Sequence, residues 1–163
     1  MLDADPLLRR LAAFGVNHII VGGFALAFHG VIRGTKDLDI CPAPDRSNLE
    51  RLAATLESLH ATQAEAGDFV PHELPYDPTR PEDLAQGGNF RLTTELGDLD
   101  VMQWISGIDA DRAFDLLDAD AIEADWHGIT IRVCSLDHLR AMKDAAGRPQ
   151  DLKDLADLEI ANG

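Results

Sequence analysis

The chain has 163 residues, 45% of them hydrophobic, so it can bury a real core and general disorder is excluded. Its 29 acidic against 14 basic residues give a formal charge of −15, a field that repels polyanions and argues against extended nucleic-acid binding. No apolar run approaches the roughly 18 residues of a membrane span. Met1-Leu2-Asp3-Ala4-Asp5-Pro6 lacks the basic and apolar regions of a signal peptide, and Cys41 and Cys134 read as buried thiols suited to a reducing cytoplasm.

Asp5-Pro6 predicts an N-cap followed by proline at the first helical position, opening a helix that Gly15 ends. Val16 to Val21 is apolar and β-branched and reads as a buried strand. Gly22-Gly23 turns the chain into a short buried helix, Phe24 to His29, closed by Gly30. After a loop, Leu38 to Cys41 forms a second strand, stopped by Pro42 and Pro44. Ser47-Asn48-Leu49-Glu50 has the form of a capping box, with its helix running to about His60. From Ala61 to Gly88 four prolines (Pro71, Pro75, Pro78, Pro81) interrupt any periodicity, and an irregular connection with at most one short strand is expected.

Asn89 to Thr94 and Leu99 to Trp104 predict a hairpin turning at Leu96-Gly97-Asp98. Asp111 to Leu117 reads as a helix, and Ala121 to Trp126 with Ile129 to Val133 as a hairpin around His127-Gly128. Ser135 caps a helix that Gly147-Arg148-Pro149 breaks, and a last helix covers Asp151 to Ile160. No repeat or linker divides the chain. The reading is one domain over 1–163 of α/β (α+β) class, a small mixed β-sheet flanked by helices, with the last two helices (135–161) as a C-terminal extension.

The carboxylates carry the chemistry. Asp37 and Asp39 lie two apart on a strand and therefore point to the same face, while Leu38 and Ile40 face the core. Side-by-side carboxylates repel unless a counter-charge joins them, and a hard divalent cation with oxygen ligands is the natural one. Taken alone, the pair reads more readily as two acids at a solvated strand end. Asp100, inside the apolar run Leu99 to Met102, adds a third acid that reaches the same point if its strand is a neighbour. Three such acids can hold two divalent ions for in-line phosphoryl chemistry. Asp98, beside Gly97, reads as a turn residue. Gly22-Gly23 is either a tight strand-to-helix turn or a place where backbone N–H groups meet an anion. His29 reads as a satisfied interior or rim histidine, and Trp104 and Trp126 read as core. By itself Lys143 is an exposed lysine late in a helix.

Gly22-Gly23, thirteen further residues, Asp37-Leu38-Asp39 and a later Asp100 together resemble the polymerase-β-like nucleotidyltransferase superfamily. Arg33, Thr35, Asp37 and Asp39 match the Arg-x-Thr-x-Asp-hydrophobic-Asp run of its small bacterial branch. That branch includes toxins of type IV toxin–antitoxin systems and antibiotic nucleotidyltransferases. Ser135 to Lys143 followed by Gly147 to Leu155 is similar to the branch's C-terminal helices. At the second small position the chain carries Gly23 where serine also occurs in the superfamily, so no hydroxyl stands there.

The resemblance implies the nucleotidyltransferase fold and transfer of a nucleoside monophosphate from an NTP, such as ATP, to an acceptor hydroxyl on a small molecule, a protein or a tRNA end. It implies Asp37, Asp39 and Asp100 as catalytic metal ligands for two Mg²⁺ (or Mn²⁺) ions, and Gly22, Gly23, Arg33, Thr35 and Lys143 as the nucleotide-binding set. Arg33 and Thr35 could equally brace their loop. The implied partners are a nucleoside triphosphate, an unknown acceptor and an antitoxin-like protein, with no membrane. The alternative is a non-catalytic protein of the same fold, acting as a binding, regulatory or toxin–antitoxin component.

Overall fold

The computed structural model describes residues 2–64 and 76–163. Along the chain run α1 (Asp5–Ala13), β1 (His18–Val21), α2 (Gly22–Phe28), β2 (Asp37–Pro42), α3 (Arg46–Ser58) and β3 (Thr62–Gln63). Then come α4 (Pro81–Leu84), β4 (Asn89–Thr94), β5 (Gly97–Met102), a 3₁₀ turn (Ala110–Arg112) and α5 (Ala113–Asp120). The chain closes with β6 (Ile122–Trp126), β7 (Ile129–Val133), α6 (Leu136–Ala146) and α7 (Pro149–Asn162). Among the described residues the strands form one mixed sheet in the order β3-β4-β5-β2-β1-β7-β6.

Two pairings at the middle of the sheet place the site. β2 runs antiparallel to β1 with Asp39 opposite Val21, and parallel to β5 with Asp39 opposite Asp100. Paired residues share a face of the sheet, so one register brings both acidic dipeptides together beside the glycine turn that follows Val21. The alternate positions, Leu38, Ile40, Leu99 and Val101, are fully buried, so a one-residue slip would exchange core for carboxylates. β1 is also parallel to β7, and α6 starts just beyond β7. The α6–α7 pair therefore rises from the same edge of the sheet as Gly22, with α6 touching α2.

Several ends differ from expectation. Ala4 is the N-cap of α1, Asp5 is its first residue, and Asp3 Oδ1 accepts from the Asp5 N–H at 3.1 Å. β1 starts at His18, because Val16 is tied by its N–H to the Leu11 carbonyl in the turn after α1. α2 begins at Gly22 itself. The capping box expected at Ser47 is replaced by an Asp45 cap, whose carboxylate accepts from the Asn48 N–H at 3.1 Å, and the helix starts two residues earlier. Pro149 opens α7, and the Asp151 carboxylate caps it by accepting from the Arg148 N–H at 3.2 Å. Within the expected irregular connection, Thr62–Gln63 pairs with β4 and Pro81–Leu84 forms a short helix. Pro71 and Pro75 lie outside the described residues. Both hairpins form, but the first turns at Glu95-Leu96, with Gly97 and Asp98 already paired in β5 and that strand ending at Met102; the second turns on His127 and Gly128, both at positive φ (47° and 89°), the backbone a two-residue turn requires. Cys41 and Cys134 are free and buried, and burial pushes both thiols up to about 12. Among the described residues no helix is long and apolar enough to cross a membrane.

Candidate active site

A cavity of about 850 Å³ opens on the carboxylate face of the sheet. Its floor holds Asp37, Asp39 and Asp100, each offering a carboxylate oxygen within 4.8 Å of the other two. Burial, then the charges of Asp37 and Asp100, push Asp39 up to about 8. Burial and a hydrogen bond with Asp37 push Asp100 up to about 6, against the nearby positive charge of Arg91. Three carboxylates held this close and half out of water cannot all ionise without a counter-charge. The donor set is all oxygen, hard and convergent, which fits a divalent cation such as Mg²⁺ and not a soft metal. Asp98 is exposed, beside Gly97 at the start of β5, and does not line the cavity.

The glycines leave room for this cluster. Gly22 has φ +69°, and a Cβ there would lie 1.8 Å from Asp39 Oδ2, so any side chain would strain the backbone and evict the carboxylate. At Gly23 an added Cβ would lie 2.8 Å from Thr35 Oγ1. The Thr35 hydroxyl thus fills the space that a serine at position 23 would claim, while donating to the Asp37 carbonyl at 3.0 Å. Arg33, Thr35, Gly22 and Gly23 all line the cavity, as does Lys143.

Lys143 is not the exposed lysine that its position late in the helix suggests. It is 8% exposed, and its ammonium is shared between Asp154 at 2.9 Å and Asp151 at 3.2 Å, both buried on α7. Arg33 reaches the same Asp154 at 3.0 Å, and Arg148 holds Asp151 at 2.6 Å. Hydrogen bonds from Arg148 and Lys143 outweigh burial and draw Asp151 down to about 2. Burial alone would raise Asp154, but hydrogen bonds from Lys143, Gln150 and Arg33 outweigh it and lower the carboxyl. Two α7 acids therefore gather three cations along one wall of the cavity.

Asp151, Asp154, Arg148, Arg91 and Trp104 escape the sequence reading. A signal for the α7 pair exists: Asp151, Asp154 and Leu158 share the 3–4 spacing of a buried helical face, so acids stand where apolar residues belong. Arg91 lies directly opposite Asp100 across the β4–β5 ladder. Trp104, expected in the core, lies past the end of β5, is 56% exposed and lines the cavity. Trp126 is partly buried and packs edge-on against Phe24 at 5.1 Å. His29 is satisfied at the rim, its Nε2 2.8 Å from the Cys134 carbonyl.

No protein-family model and no curated protein matches the chain. Solved structures do match in fold. The lincosamide antibiotic adenylyltransferase LnuA, bound to lincomycin, superposes with a TM-score of 0.61 at 15% identity, covering 97% of this chain and 95% of that one. ANT(2″)-Ia, in complex with adenylyl-2″-tobramycin, gives 0.56 at 19% identity over 96% of this chain and 86% of its own. A Thermotoga maritima protein assigned as a nucleotidyltransferase gives 0.56 at 18%, over 96% and 93%. The chain has the nucleotidyltransferase fold, a mixed sheet flanked by helices, as the sequence resemblance implies.

Proposed function

We propose that the chain, working as one unit over 1–163, is a divalent-metal-dependent nucleotidyltransferase that moves a nucleoside monophosphate from an NTP to an acceptor hydroxyl. One observation carries this reading: three carboxylate oxygens meet within 4.8 Å on the floor of a cavity walled by cations. In the reaction the acceptor oxygen bonds to the α-phosphorus, the α–β bridging bond breaks, and pyrophosphate leaves with that electron pair. Asp37, Asp39 and Asp100 would hold Mg²⁺, which when bound supplies Lewis-acid neutralisation of phosphate charge. Asp100 lies on the acceptor side and would take the hydroxyl proton. The N–H groups at the Gly22-Gly23 turn meet the phosphates, whose charge Lys143, Arg33 and Arg148 offset. Thr35 braces the strand entry through its bond to the Asp37 carbonyl.

A small-molecule acceptor fits best. The charge of −15 opposes a polyanion such as tRNA, and the fold neighbours LnuA and ANT(2″)-Ia were solved with the antibiotic lincomycin and an adenylylated tobramycin. The test is transfer of α-³²P-labelled NTP to lincomycin, tobramycin and a low-mass cell extract, with and without Mg²⁺. Asp39→Asn is expected to lose about 10³-fold in rate, matching roughly 4 kcal/mol of lost charge stabilisation. Equal label transfer by wild type and variant would sink the mechanism.

A further inference from the structure

Past the end of β5 the chain sets Trp104 beside Asn89, the first residue of β4. The Trp104 backbone is clamped by Asn89. Asn89 Oδ1 accepts from the Trp104 and Gln103 N–H groups at 3.0 and 2.9 Å, and its Nδ2 donates to the Trp104 carbonyl at 2.9 Å. Gly87, which carries no side chain, comes up to the Nε1–Cζ2 edge of the ring. A Cβ added to Gly87, at φ +84°, would lie 3.1 Å from the indole Nε1 and 3.3 Å from Cζ2. One edge of the indole is thus closely approached, while the residue as a whole stays 56% exposed. It lines the main cavity and also a smaller one of about 170 Å³ beside it. A large apolar ring left this exposed contributes little to the core.

We propose that Trp104 is the wall of the acceptor subsite, where its exposed indole stacks against the ring of a small ring-bearing alcohol. The inference rests on the nucleotidyl-transfer reading and adds the class of acceptor. In-line displacement puts the acceptor on the side of the α-phosphorus opposite the leaving pyrophosphate. The order β4-β5-β2-β1 places the glycine turn and its phosphates on one side of Asp37 and Asp39, and Asp100 with Trp104 on the other. The main cavity is also lined by Leu139, Met142 and Ala146 of α6, the helix of Lys143, which leaves a nucleobase an apolar place away from Trp104. An aromatic face accepts the C–H face of a sugar or alicyclic ring as readily as an aromatic one, so the acceptor's ring need not be flat.

The two tryptophans make this directly readable, because each contributes one indole N–H signal to a ¹H–¹⁵N spectrum. Trp104→Phe assigns the signals in the full chain. The protein is titrated with Mg²⁺ and α,β-methylene-ATP, then with cyclohexanol, methyl β-glucopyranoside or ringless glycerol, and the alcohols are repeated without nucleotide. The ring alcohols are expected to shift the Trp104 signal, with glycerol and the Trp126 signal showing no change. Trp104→Leu is expected to weaken the ring alcohols about tenfold and leave the nucleotide affinity unchanged within about twofold, while Trp104→Phe retains both. Two results overturn the proposal: no ring alcohol moves Trp104, or nucleotide alone moves it and Trp104→Leu weakens nucleotide binding, which makes the indole a base platform. Failure of the wild type to bind Mg²⁺-nucleotide strikes at the transfer reading instead, and shows in the first titration.

Discussion

At the scale of single residues the site is a conflict of like charges. Asp39, raised to about 8, and Asp100, raised to about 6, hold protons more tightly in the folded chain than in the unfolded one, where the ordinary carboxyl value is 3.8. A raised carboxyl adds stability that is complete below the unfolded value and is lost as pH climbs through the folded value. In EDTA the midpoint of thermal unfolding is therefore expected to fall as pH rises from about 4 to about 8. Asp39→Asn should flatten that slope and unfold at a higher temperature than wild type at pH 8. Mg²⁺ should restore the wild type at that pH by supplying the missing counter-charge. A wild-type midpoint that climbs over this range would contradict the crowding of the three acids.

At the scale of elements, two helices show how position outranks motif. Ser47-Asn48-Leu49-Glu50 matches a capping box, yet Asp45 follows Pro44 and already presents its carboxylate to the Asn48 N–H, so the helix is captured earlier. Asp45→Ala is expected to cost about 1 kcal/mol, whereas Ser47→Ala, inside the first turn, should cost only a few tenths in urea unfolding. In α7 the buried face holds Asp154, contacted by Lys143, Arg33 and Gln150. Removing one partner of a buried charge cluster leaves the others uncompensated, so Asp154→Ala is expected to cost about 3 kcal/mol. The neighbouring pair Lys153–Asp157 is solvent-facing, and Asp157→Ala should cost about 0.5 kcal/mol or less. Similar losses for the two substitutions would remove the case that α7 anchors the cation wall.

At the scale of the whole molecule, the proposed nucleoside triphosphate, itself a polyanion, must approach a chain of charge −15. The cations in the cavity act at contact range, while the surplus acids act through solvent over a distance that salt shortens to about 10 Å at 0.1 M. Association of Mg²⁺-nucleotide is therefore expected to quicken as ionic strength rises from about 10 to about 100 mM. Stopped-flow mixing checks this, and an association rate that falls with salt would show that the local cations dominate at every range.

Much of the architecture was legible in one dimension, because local patterns record local physics. The alternation around Asp37-Leu38-Asp39-Ile40 can exist only on a strand with one buried face. The glycines that open α2 mark a backbone that later proves to need φ +69° at Gly22. The acid dipeptides themselves were visible without coordinates. What the linear pattern could not hold is everything set by register and long-range packing. That Asp100 falls opposite Asp39 follows from the parallel pairing of β2 with β5. That Lys143 is buried against α7, and that Trp104 stands exposed beside Gly87, follow from how separate segments pack. Such contacts join residues far apart in the chain, and their energies depend on burial and distance. The chain alone determined which side chains were available and which face each could take; the tertiary structure alone decided which charges meet.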